Sequence, residues 1–271
     1  MKTRSIQTWT LLALLLFPSI VMTSCKKDGT DSSATKTHAL LKKKTLYKTL
    51  ASTQAIGMLE YEYDDKGRLV KQIDNGTESP NYFGYFTLSY NEDGTIAKKD
   101  VYVSDSKQTS GYSLSKSYDY VYQSGQLDRI SSGAEINQLF SYKSNKLISM
   151  FQLNGAGIME KYYYDYDDKG VRIKSSHYRD GIGLIDYQQY RYSNGLLTNE
   201  YLNKNGQDST ILYEYSASKI VKITYQNLFK ETVRLRQFSL DQNGNVILEI
   251  CNDYPRGWED NSYIARFEYY D

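Results

Sequence analysis

The chain has 271 residues, with 33 Lys plus Arg against 32 Asp plus Glu. That balance leaves no excess of positive charge to displace phosphate counterions, so nucleic acid is not an expected partner. Two His and two Cys exclude a His-rich metal cage and a disulfide framework, and no metal or other cofactor is expected. Tyr is the outlier, at 28 residues against 26 Leu. Tyr suits a pleated, half-buried surface, so the composition already favours β structure.

Residues 1–24 begin with a basic stretch carrying Lys2 and Arg4. A short apolar run from Leu11 to Phe17 follows, and then small residues. This is the pattern of a secretory signal peptide, too short and wrongly flanked for a stable membrane span. Met22-Thr23-Ser24-Cys25 resembles the lipobox of bacterial lipoproteins. That resemblance implies that Cys25 takes the lipid, becomes the mature N-terminus and anchors the chain to a membrane. Lys26-Lys27-Asp28 resembles the tract behind the lipid-bearing Cys in surface lipoproteins of Bacteroidota-type bacteria, which implies the outer membrane and the cell surface. Residues 25–43 read as a lipid-anchored tether of Ser, Thr, Asp, Gly and Lys. Without Lys2 and Arg4 the mature chain carries a net charge of about −1. Cys251, in VILEICND, reads as a small strand residue, not a nucleophile. With Cys25 acylated it has no partner, so no disulfide is expected.

From residue 44 to residue 271 one pattern recurs: aromatic-x-Tyr, a tight turn with Gly or Asn, then an apolar residue. The copies are YEYDDKGRL from Tyr61, LSYNEDGTI from Leu88, YVYQSGQL from Tyr120 and FSYKSNKL from Phe140. They continue as YDYDDKGVRI from Tyr164, YRYSNGLL from Tyr190, YEYSASKI from Tyr213 and FSLDQNGNV from Phe238, and FEYYD closes the chain from Phe267. The second aromatic recurs at a mean interval of about 26 residues, a period typical of repeat architectures. Tyr61 and Tyr63 are two apart and share one face of a strand. Asp64-Asp65-Lys66-Gly67 suits a type I turn with Gly in the left-handed position. Gln123-Ser124-Gly125 and Ser193-Asn194-Gly195 suit a tighter loop. Each copy is thus a hairpin, and hairpins in series make a meander.

Tyr61, Tyr63, Asp64, Gly67 and Leu69 resemble the core of the YD-repeat (RHS-type) family position for position. Tyr164, Tyr166, Asp167 and Gly170 match as well, with Ile173 one residue late, so a bulge is predicted there. The resemblance spans roughly residues 57–271 and extends to repeat-bearing lipoproteins of unassigned function in Bacteroidota-type bacteria. It implies a repeat shell. Full RHS proteins carry a core segment and a toxin after the shell; neither pattern is read in these residues, so an encapsulating role is not expected.

The expected fold is all-β: a long antiparallel meander of about eighteen strands, coiled into a roll or open barrel. Strands are predicted from 45–50 to 262–270, the widest at 82–90, 158–166 and 230–240. No window after the leader pairs a helical apolar period with a cap and a stop. Eighteen strands at ~4.8 Å would make a flat sheet ~86 Å wide, and twisted sheets of that width curl or close.

Chemistry is sparse. Asp165-x-Asp167-x-Lys169-Gly170 opens like a calcium loop, but the fifth position is Lys and the twelfth is Ser176. Ser176, His177 and Asp180 cannot form a triad as near neighbours on one strand, so His177 reads as an ordinary strand residue. The Tyr rows admit two interpretations, core or sugar-stacking surface. Tyr outside the motif (Tyr102, Tyr112, Tyr178, Tyr187, Tyr201 and Tyr225) are the expected exposed ones. Trp258, Tyr254 and Tyr112 are the candidate ligand contacts. The expected function is a monomeric, non-catalytic scaffold or binding module for a glycan, a peptide or an envelope protein. The alternatives are an envelope glycan-active enzyme and a shell component of an RHS-type toxin system.

Overall fold

The computed structural model describes residues 39–77, 83–104, 111–153, 159–204, 206–254 and 262–270. They form β1 (Leu41–Tyr47), β2 (Ala55–Tyr63), β3 (Leu69–Asn75), β4 (Phe83–Tyr90), β5 (Ile96–Val103) and β6 (Ser113–Gln123). Next come β7 (Gln126–Ser132), β8 (Glu135–Lys143), β9 (Lys146–Leu153), β10 (Met159–Tyr166), β11 (Arg172–Arg179) and β12 (Gly183–Ser193). The last six are β13 (Leu196–Lys204), β14 (Gln207–Ser216), β15 (Lys219–Gln226), β16 (Thr232–Leu240), β17 (Val246–Asp253) and β18 (Tyr263–Tyr269). The longest are β6 and β12, at 11 residues each, and not the three runs that looked widest in the sequence.

Each strand pairs antiparallel with the next. β1 then pairs with β18, for example Leu46 with Ala265, and closes the sheet into a barrel of 18 strands. Closure leaves no row of unpaired backbone groups at an edge.

Turn chemistry explains the hairpins. Gly67, Gly94, Gly170 and Gly244 lie at positive φ, and each amide donates to the carbonyl three residues earlier: Asp64, Asn91, Asp167 and Asp241. The Asp64 side chain accepts from the amides of Lys66 (3.0 Å) and Arg68 (2.8 Å), which locks the turn. The looser copies make two-residue turns with both residues at positive φ: Ser124-Gly125, Ser144-Asn145, Asn194-Gly195 and Ala217-Ser218. All eight repeat hairpins shift register just before the second aromatic position, as at Glu62/Tyr63, Val121/Tyr122 and Ser239/Leu240. The sequence suggested a bulge in the Tyr164 copy alone. The extra residue lies on the return strand, as Val70, Asp128 and Ile247 do, so every copy bends its return strand at the same place.

Register assigns the faces. Tyr61 faces Gln72, Gln72 faces Phe86, Phe86 faces Val101 and Val101 faces Lys116, and alternation along each strand carries the assignment on. On this face the side chains are mostly buried or half-buried. The opposite face carries exposed Ile56, Glu62, Leu139, Tyr163, Tyr178, Gln237 and Glu268. A concave surface brings side chains together and a convex one spreads them, so the shielded face is the inner wall. There the repeat becomes two girdles. The first aromatics (Tyr61, Tyr120, Phe140, Tyr164, Tyr190, Tyr213, Phe238 and Phe267, with Leu88) form one. The second positions (Tyr63, Tyr90, Tyr122, Tyr142, Tyr166, Tyr192, Tyr215 and Tyr269, with Leu240) form the other, at the turn end.

No strand brings a Cα within 8 Å of any strand but its two neighbours. The wall is therefore one sheet thick. Eighteen strands at ~4.8 Å give a ring ~86 Å around, or ~27 Å across if circular, too wide for wall side chains to fill.

Candidate functional site

The second-girdle tyrosines couple neighbouring hairpins. Five of them donate their hydroxyls to a carbonyl at the start of the preceding hairpin's return strand. Tyr90 bonds to Leu69 (2.5 Å), Tyr166 to Leu147 (2.8 Å), Tyr192 to Arg172 (3.1 Å), Tyr215 to Leu197 (2.7 Å) and Tyr269 to Val246 (2.8 Å). Burial pushes the phenols of Tyr61 and Tyr120, in the first girdle, up to about 12. The rows of Tyr are therefore wall and inner lining.

Beyond the girdles, toward the loop end, the inner wall turns polar. Glu249 is 1% exposed and meets Arg236 Nε at 2.6 Å, Tyr263 Oη at 2.6 Å and Lys44 Nζ at 3.2 Å. Burial pushes the Glu249 carboxyl up, but the Arg236 hydrogen bond and the charges of Lys44 and Arg236 outweigh it, and the carboxyl stays below its ordinary value. Cys251, two residues on, is a buried free thiol on the same face, pushed up by desolvation. A second cluster spans β10 to β14. Arg179 Nη2 holds Glu160 at 2.7 Å. His177 stacks on Tyr162 at 4.4 Å and 4°. Its Nδ1 lies 3.1 Å from Asp186 Oδ2, while its Nε2 faces Glu160 Oε2 at 3.5 Å without a hydrogen bond. Gln188 bonds to Glu200, which also accepts from Tyr213 Oη at 2.5 Å.

Ser176 lies on the outer face and His177 on the inner, while Asp180 pairs with Lys161 at 2.8 Å, so those three do not meet. The partners of His177, Glu160 and Asp186, come from adjacent strands, and only the strand register could have revealed them. Asp167 spends its side chain on the amide of Val171 (2.7 Å), so turn chemistry accounts for the acid-rich loop. Among the described residues no group of three or more His, Cys, Asp or Glu is placed to hold a metal.

The outer wall is charged. Lys71 pairs with Glu62 at 2.9 Å, Lys98 with Asp100 at 3.1 Å and Lys222 with Glu214 at 2.7 Å. Tyr102, Tyr178, Tyr187 and Tyr201 lie here, outside the motif. Tyr225 does not: it faces Ile211 and Arg234 on the inner wall, because it is two residues from inward Ile223. Tyr112 packs edge-on against Tyr85 at 5.1 Å. Tyr254 follows β17 and is 49% exposed. Cys25 and Trp258 lie outside the described residues.

The architecture defines a class: a closed β-barrel of hairpin repeats with two aromatic girdles on its inner wall and ion pairs on its outer wall. No protein-family model matches the chain, and no curated protein matches it in sequence. Solved structures similar to it include a porin-like protein from Bacteroides uniformis, 14% identical, which covers 85% of this chain and 98% of that one at a TM-score of 0.48. A porin-like protein from Bacteroides vulgatus is 11% identical over 86% of this chain and 99% of that one, at a TM-score of 0.39. The TcdB2-TccC3-Cdc42 structure is 13% identical over 78% of this chain, which spans 13% of that much longer one, at a TM-score of 0.36.

Proposed function

We propose that this chain is a non-catalytic barrel of the bacterial envelope, tethered to the outer membrane by lipid on Cys25 and presented at the cell surface. It serves there as a scaffold or binding module for a glycan or an envelope protein. The observation that supports this is the chemistry of the outer wall. A membrane-spanning barrel is apolar outside and polar inside. This barrel differs: its outer face carries Lys71, Lys98 and Lys222 in ion pairs among exposed Ile56, Leu139 and Tyr163, and its inner wall carries two aromatic girdles. A Lys facing lipid at the bilayer midplane costs ~2–4 kcal/mol. Such a wall belongs in water, and membrane attachment then falls to the leader. Lipid on one Cys contributes ~0.8 kcal/mol of membrane affinity per buried CH₂. The sixteen residues from Cys25 to the start of β1 reach at most ~55 Å.

The test is fractionation of cells carrying the wild-type chain or Cys25→Ala. The wild type should stay with membranes through a carbonate wash and incorporate labelled palmitate, and Cys25→Ala should do neither. Retention of Cys25→Ala on washed membranes would overturn the proposal.

A further inference from the structure

On the outer wall, where β15 ends and β16 begins, a groove of about 290 Å³ is lined by Lys222, Thr224, Thr232, Leu235 and Tyr254. We propose that this groove is a saccharide subsite that takes one neutral pyranose ring of a glycan. The inference rests on the binding-module reading above and deepens it.

Strand register assembles the groove. Thr224 faces Leu235 across the β15–β16 pair, and a bulge at Tyr225/Gln226 brings Thr232 opposite Gln226. The Tyr254 amide donates to the Val233 carbonyl at 2.8 Å, which fixes where the chain leaves β17. Among the described residues no other ring packs against Tyr254, whereas Tyr85, Tyr102, Tyr163, Tyr178, Tyr187 and Tyr201 each pack on one. Its ring is half-exposed at the rim of a groove that also offers the exposed Thr232 hydroxyl, the Lys222 ammonium and the methyls of Leu235, with Thr224 buried at its floor.

The lining selects the ligand. Among the described residues no carboxylate lines the groove, and that of Glu214 is held by Lys222. Lys222 already pairs with Glu214 at 2.7 Å, so an acidic ligand would have to break that pair. What fits is a neutral group with hydroxyls around its edge and an apolar C–H face. A pyranose has both: the face stacks on an aromatic ring, and the edge hydroxyls bond to threonine. The volume admits one ring and is too small for a folded peptide.

The experiment is a titration of the leaderless chain, residues 26–271, with ¹³C-labelled Tyr rings. The probes are maltohexaose, xylohexaose, laminarihexaose and, as the acidic arm, trigalacturonate. The Tyr254 resonance should move saturably with at least one neutral probe, with a dissociation constant in the millimolar range. Tyr254→Phe should keep that affinity, Thr232→Val should weaken it, and Tyr254→Ala should lower it at least tenfold. Three outcomes overturn the proposal: no neutral probe moves the resonance, Tyr254→Ala binds unchanged, or only trigalacturonate binds. Saturable shifts confined to other Tyr resonances would sink the groove and leave the binding-module reading standing. Failure of the anchor is read separately, by fractionation.

Discussion

Tyr166→Phe tests the coupling of hairpin to hairpin. The substitution keeps the ring and removes the hydroxyl that reaches the Leu147 carbonyl at 2.8 Å. A hydrogen bond of this kind contributes ~0.5–1.5 kcal/mol net. With a urea m-value of ~3 kcal/mol/M, at the upper end for small proteins, the midpoint should fall by ~0.2–0.5 M with m unchanged. Tyr192→Phe removes the next bond around the ring, to Arg172, and should cost the same. The two sit two strands apart, ~9.6 Å, so their effects should add to within ~0.5 kcal/mol. Tyr163→Phe is the control, because Tyr163 is an outer-face residue, 41% exposed. It should stay within ~0.5 kcal/mol of wild type. If Tyr163→Phe lowered the midpoint as far as Tyr166→Phe, the hydroxyl would not be what links neighbouring repeats.

Three further expectations concern backbone and charge. Lys230 sits at φ 61 in a turn whose amide donates to the Asn227 carbonyl, the place that Gly67 fills in its own turn. Lys230→Gly should therefore raise the urea midpoint, by ~0.5 kcal/mol once glycine's greater unfolded-state freedom is subtracted. A Cβ on Gly57 would lie 2.9 Å from the Gly76 carbonyl oxygen and 3.1 Å from Thr77 Cα, both backbone. Gly57→Ala should cost ~1–3 kcal/mol by urea unfolding. The inward phenols dictate alkaline behaviour: Tyr61 and Tyr120 titrate at about 12 folded, against ~10 unfolded. A raised folded value contributes stability that is intact below pH ~10 and is lost as pH climbs toward 12. Tyrosinate absorbance and loss of β circular dichroism should rise together in that window. A full tyrosinate signal from a still-folded chain would contradict the inward placement.

Much of the wall was legible in the residues. Two aromatics spaced by two must share a strand face, and Gly67 and Gly170 do occupy the left-handed region, at φ 73 and 84. About eighteen strands were expected, and eighteen form among the described residues. Closure was not legible, because it rests on Leu46 meeting Ala265 across the whole chain. Nor was the Glu249 cluster, whose members Lys44, Arg236 and Tyr263 come from three other strands and meet only through register. Ala217 and Ser218, at φ 46 and 65, run against local preference and are held there by the strands they join. For Tyr254 the sequence offered an aromatic in a turn-rich stretch, but not the groove, whose other four lining residues come from β15 and β16.

The central claim is that the charged face points outward and the barrel lives in water. Flotation of residues 26–271 with lipid vesicles tests it most directly. The account predicts that the leaderless chain stays at the bottom of the gradient, fully β by circular dichroism, and adds no ion conductance to the vesicles. A chain that floats with the vesicles and makes them conductive would place its lysines against lipid and contradict the assignment of the two faces.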